Sequence, residues 1–146
     1  MNKNYPWIIV VLIITGLLLS ACAPKVITAE KIMPFQLEPI DGTDIKRIIL
    51  TEKAAERLDI QTSPVREEQV NGVNRKVVSY AAIIYDLQGQ TWVYTIPASL
   101  TFVRESVTVE FIEGDKAILV KGPSTGTEVV TIGLAELYGT ETGVSK

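Results

Sequence analysis

The sequence predicts a mainly β protein: a small antiparallel β-barrel or β-roll with one short helix, preceded by a signal peptide and a flexible tether. Three observations predict it. Apolar stretches of strand length recur from residue 45 onward. They are separated by closely spaced turns that hold Gly, Pro, Asn or Asp, as a meander closing on itself requires. Ahead of them, prolines interrupt a segment that follows a short, strongly apolar N-terminus.

The N-terminus carries the sharpest signal. Residues 1–6 are short and polar and include Lys3; residues 7–19, WIIVVLIITGLLL, are almost wholly apolar. Thirteen helical residues span about 20 Å, less than the ~30 Å of a hydrocarbon core, so an export signal fits better than a membrane span. Leu19, Ser20, Ala21 and Cys22 follow directly. An aliphatic residue, two small ones and a cysteine resemble a bacterial lipobox, which implies cleavage before Cys22 and a thioether-linked lipid on its sulfur. Cys22 is the chain's one cysteine, so it has no disulfide partner within the chain. Acyl chains at ~0.8 kcal/mol per buried CH₂ make a durable anchor. The expected organisation is a signal peptide over 1–21, lipidated Cys22 and a flexible linker over 22–44, a β domain over 45–138 and a tail over 139–146. The expected location is the cell envelope, lipid-anchored: the outer membrane where there is one, otherwise the outer face of the plasma membrane. Ala23, where an Asp would favour inner-membrane retention in enterobacteria, agrees with this.

Element by element, Pro24, Pro34, Pro39 and Gly42 disfavour regular structure over 23–44. Val26, Ile27, Ile32, Met33 and Phe35 could still dock part of that segment. Residues 45–50 are a short apolar run. Thr51 is a helix N-cap for residues 52–58, with Glu52 in the first turn, Arg57 in the last, and Ala54, Ala55 and Leu58 inward. Residues 60–70 form a strand interrupted near Pro64, Asn71-Gly72-Val73-Asn74 form a turn, and 75–86 read as one central strand. Residues 86–90 form a hairpin loop. In 91–96, Trp92, Tyr94 and Ile96 share a face, which places Trp92 in the core. Pro97 to Ser99 form a turn. In 101–112, Val103, Val107, Val109 and Phe111 share the apolar face; Arg104, Ser106, Thr108 and Glu110 share the polar one. Turns at 113–115 and 122–126 bracket a strand over 117–120, and a last strand covers 128–132. Residues 134–138 form a terminal helical turn stopped by Gly139.

From Val77 onward the residues run strand, glycine loop, T-W-V-Y, F-x-R, V-x-V, G-D, K-G-P, V-V-T, G. This order resembles the C-terminal membrane-proximal domain of the periplasmic adaptor (membrane fusion) proteins of RND-type efflux pumps. The matching positions are Gly89, Trp92, Val93, Tyr94, Phe102, Arg104, Val107, Val109, Gly114, Asp115, Gly126, Val129, Val130 and Gly133. Residues 50–52 and 60–65 look like those proteins' leader segment, so the resemblance covers roughly 48–136. It implies the domain's β fold, here as a standalone lipoprotein module. The chain departs from the family in having no lipoyl half-motifs and no long heptad hairpin. Ser79 and Tyr80 stand where the family often has a proline.

Chemistry has little to work with. There is no histidine, and Cys22 is committed to lipid, so the usual nucleophile–base pairs are absent and no enzyme is expected. Glu67 and Glu68 point to opposite faces; Glu110, Glu113 and Asp115 surround a solvated turn. The Gly122-Pro123-Ser124-Thr125-Gly126 turn lacks the lysine of a phosphate loop. No metal or other cofactor is expected: Met33 is the one methionine after Met1, and Asp41 to Asp44 are not followed by an EF-hand pattern. The 14 basic residues less Lys3 leave 13 against 17 acidic after cleavage, a net charge of −4 with no basic stripe, which argues against nucleic acid. The expected partners are membrane lipid through Cys22 and an envelope transporter or other membrane protein. Two function classes follow: a non-catalytic interaction module, accessory to an envelope efflux or transport complex, or a small-ligand-binding surface lipoprotein.

Overall fold

The computed structural model describes residues 33–143. The expected signal peptide and lipobox, with Cys22, lie outside the described residues. The architecture is mainly antiparallel β. The ten strands are β1 (Phe35–Pro39), β2 (Lys46–Leu50), β3 (Gln61–Pro64), β4 (Arg66–Val70), β5 (Val73–Ser79), β6 (Ile84–Tyr85), β7 (Thr91–Ala98), β8 (Thr101–Glu113), β9 (Lys116–Lys121) and β10 (Glu128–Ile132). Helix α1 (Glu52–Arg57) follows β2, and helix α2 (Leu134–Thr142) follows β10.

The sheet runs β3-β10-β7-β8-β9-β5-β4. Its two ends are consecutive pieces of one bent strand. Val65 joins them, donates its N–H to the Thr127 carbonyl (2.8 Å) and accepts from the Gly126 N–H (2.8 Å). The path therefore returns to its start, and the sheet curls into a barrel-like roll. Inside lie Val65, Val78, Val93, Val107, Ala117, Leu119 and Val129. All but Leu119 are valine or alanine, β-branched or small residues suited to a narrow pleated wall. Each fully buried valine or leucine contributes about 1.5–3 kcal/mol.

A second core lies on the outside of the wall. Tyr94, Phe102 and Val130 point outward from strands whose neighbouring residues point inward, and Ile48, Leu50 and Leu137 cover them. Helix α1, helix α2 and the β1–β2 hairpin form that cover. The middle of β7, Val93 to Thr95, is thus buried on both faces.

Several expectations hold at residue level. The Thr51 hydroxyl accepts the Ala54 N–H (3.2 Å), and Ala54, Ala55 and Leu58 pack inward. The Asn71–Gly72 turn joins β4 to β5, with both residues at positive φ. The break between β3 and β4 falls at Val65, beside Pro64.

Other expectations need correction. The tether does not extend to residue 44. Phe35–Pro39 pairs with β2 through five residue pairs, and Phe35 and Leu37 pack on the outer core. Pro34 and Pro39 sit at the strand's ends, where a missing N–H costs little. The strand expected over 75–86 breaks at Tyr80. There the chain makes a 3₁₀ turn (Tyr80–Ala82), held by the Tyr80 N–H on the Asp115 carbonyl (2.7 Å), and its Ala82 and Ile83 enter the inner core. Phe111 does not share a face with Val109. The pairing passes from Val109↔Leu119 to Phe111↔Ile118, so Glu110 is an extra residue and the side-chain parity flips. Gly139 does not stop the last helix, which continues to Thr142 and ends at Gly143 in the left-handed conformation.

Candidate functional site

The one concentration of buried polar groups among the described residues sits under α2. Leu134, Leu137 and Glu141 are spaced three and four residues apart, so one helical face carries all three to the sheet. Leu137 and Glu141 are buried, Glu141 to 2% exposure. Below it, Arg104 of β8 is 7% exposed. The expectation that Arg104 lies on a solvated face with Ser106, Thr108 and Glu110 fails for Arg104 alone. It pairs with Tyr94 in the half of β8 that α2 covers, while the other three lie beyond that cover.

The Glu141 carboxylate accepts two hydrogen bonds and forms one ion pair. One carboxylate oxygen takes the Tyr94 O–H. The other lies 3.3 Å from Arg104 Nη2 and accepts the Lys46 backbone N–H at 3.2 Å. The Lys46 ammonium also reaches the Glu141 carbonyl (3.3 Å). Helix α2 has no basic residue in its own last turn, so β2 supplies the cation that its C-terminal dipole favours. The Arg104 guanidinium stacks 4.3 Å from the Trp92 ring centroid and 5.6 Å from that of Tyr138. Burial, and then the neighbouring Glu141, push the Tyr94 phenol far above its ordinary range. Tyr94 therefore stays a neutral donor. The carboxylate's partners are side chains and backbone of its own chain, so it clamps α2 to the sheet.

Trp92 is half-buried at the edge of the outer core, not inside it. Its indole N–H donates to Asp86 Oδ2 (2.9 Å). The other oxygen of Asp86 accepts the backbone N–H groups of Gln88 (2.9 Å) and Gln90 (2.8 Å). Partial burial raises the Asp86 carboxyl, but the Trp92 indole and the Gln90 and Gln88 amides together hold it below the usual aspartate value. A lowered folded-state value stabilises the fold above the ordinary aspartate pKa and is lost as pH falls through the lowered one. The melting difference between the parent and Asp86→Asn should therefore be constant from pH 7 to about 4 and shrink below that. Thermal melts across pH 2–7 check this; an equal gap at both ends would exclude the assignment.

The remaining expected positions are dispersed. Gly89, Gly114, Gly126 and Gly133 have positive φ, and Gly133 also packs where a Cβ would stand 2.3 Å from the Ile60 side chain. Val93 and Phe102 are core residues on opposite faces. Asp115 closes the β8–β9 turn. Among the described residues no three His, Cys, Asp or Glu side chains are gathered as a metal site. An open groove of about 640 Å³ lies where β8 runs past the start of β7, with Tyr85, Gln90, Thr108 and Lys121 on its walls.

Sequence reasoning missed Glu141. Its spacing from Leu137 carries the signal, but only when the helix is allowed to pass Gly139. Comparison with protein-family models, with curated proteins and with solved structures finds no match for this chain.

Proposed function

We propose that this protein is a lipid-anchored envelope lipoprotein whose β domain is a non-catalytic interaction module, accessory to a transport complex of the efflux type that its second half resembles. The observation that carries the reading is Cys22, the chain's one cysteine, placed directly after Leu19-Ser20-Ala21 and an apolar run too short to span. The fold supports the module reading in two ways. Among the described residues, the two buried charges, Arg104 and Glu141, pair with each other rather than with a nucleophile or base. The open groove at the start of β7 runs along strand backbone, which suits a protein segment better than an enclosed small ligand.

The tether is short on this reading. Residues 23–34 span at most about 40 Å when fully extended, so partners must lie close to the bilayer. Cys22→Ala should abolish labelling by a fatty-acid analogue and release the protein from the membrane. Labelling and membrane association that survive the change would overturn the lipoprotein reading.

A further inference from the structure

Among the described strands, β8 has a free edge beyond Val107. Strand β7 pairs with β8 as far as Thr91↔Val107, and β9 pairs with residues 108–113 from the opposite side. No described strand occupies the β7 side of β8 beyond Val107. Other edges carry the usual protection: β4 is Arg-Glu-Glu-Gln-Val, and β1 is flanked by Pro34 and Pro39. Residues 108–113 of β8 contain no Lys, Arg or Pro. They display apolar side chains on both faces, Phe111 at 36% and Ile112 at 42% exposure, beside Val120 at 59% on β9. The bulge that turns Phe111 outward also exposes it, so the apolar display is built into the pairing. The open groove lies at the head of this edge, where an added strand would continue the line of β7.

The charge says what fits. From Glu105 to Asp115 the chain carries four carboxylates, Glu105, Glu110, Glu113 and Asp115, and no basic residue. Only Glu110 among them is paired within the described residues, with Arg75 at 2.8 Å. A second copy would bring like charges together along the edge. Resting on the interaction-module reading, we propose that residues 108–113 of β8 accept an extended segment of a partner protein as an added antiparallel strand, and that this segment alternates apolar residues and is flanked by Lys or Arg.

The test places a photoreactive phenylalanine analogue at position 111, and separately at positions 67 and 87, in the lipidated full-length protein in its native membrane. The expected result is a crosslink from position 111 to another protein, with the joined peptide identified by mass spectrometry as an apolar stretch flanked by basic residues. The double change Glu105→Lys and Glu113→Lys should lower that yield about tenfold or more while leaving the melting temperature unchanged. An unchanged yield, an acidic joined peptide or an adduct between two copies of this chain would each overturn the proposal. Crosslinks from position 67 or 87 but not 111 would overturn the edge and leave the module reading standing. Crosslinks from none of the three would overturn both.

Discussion

Glu141→Ala is expected to cost about 3–5 kcal/mol, a large share of the 5–15 kcal/mol that typically holds a domain folded. The change removes no apolar side chain and leaves Leu137 in place. It strands Arg104, 7% exposed, with no acid beside it. It also takes the acceptor from the Tyr94 O–H and the Lys46 N–H. A buried guanidinium without its carboxylate is the costly part, because its solvation is lost and the Trp92 and Tyr138 rings replace only part of it. The melting temperature should fall by about 15 °C or more. Pairing the change with Arg104→Met should recover most of the loss, since a buried ion pair contributes little net stability relative to an apolar pair of similar size. Chemical denaturation of the two single variants and the double variant measures this. A Glu141→Ala variant within about 0.5 kcal/mol of the parent would show that α2 is not held by its carboxylate.

Removing β1 should be the second large effect. A chain that starts at residue 44 keeps β2 but loses the five residue pairs of the β1–β2 hairpin. Phe35 and Leu37, both half-buried on the outer core, go with it. Full burial of such a side chain contributes about 1.5–3 kcal/mol, so two half-buried ones and their strand account for about 2–4 kcal/mol. The deletion also turns β2 into an unprotected edge beside Ile48 and Leu50. The shortened chain should melt well below one that starts at residue 33 and should associate on standing. Equal melting temperatures for the two chains would return residues 33–43 to the tether.

Both effects lie where local patterning misleads. Pro34, Pro39 and Gly42 read as a linker because each resists regular structure, yet the two prolines fall at the ends of a five-residue strand where neither is penalised. Gly139 reads as a helix stop because glycine costs about 1 kcal/mol in a helix interior. The contacts that Glu141 makes two residues on exceed that cost. In each case a propensity of about 1 kcal/mol is outweighed by a tertiary contact between segments far apart in the sequence.

The sequence by itself determined the β class, the cap and inward face of α1, most strand positions, the turns at Asn71–Gly72 and Gly114–Asp115, and the lipobox expectation at Cys22. These depend on neighbours within a few residues, through a period of two, a capping hydroxyl or a residue tolerant of positive φ. Only the tertiary structure decided that the sheet has two cores rather than one. That second core turns the polar face of β8 inward at Arg104 and leaves Trp92 half-covered. It also pairs Arg104 with Glu141, 37 residues later in the chain. The parity flip at Glu110, and with it the exposed edge at Phe111 and Ile112, was equally hidden. A bulge is specified by how two strands meet, and neither strand's own pattern contains it.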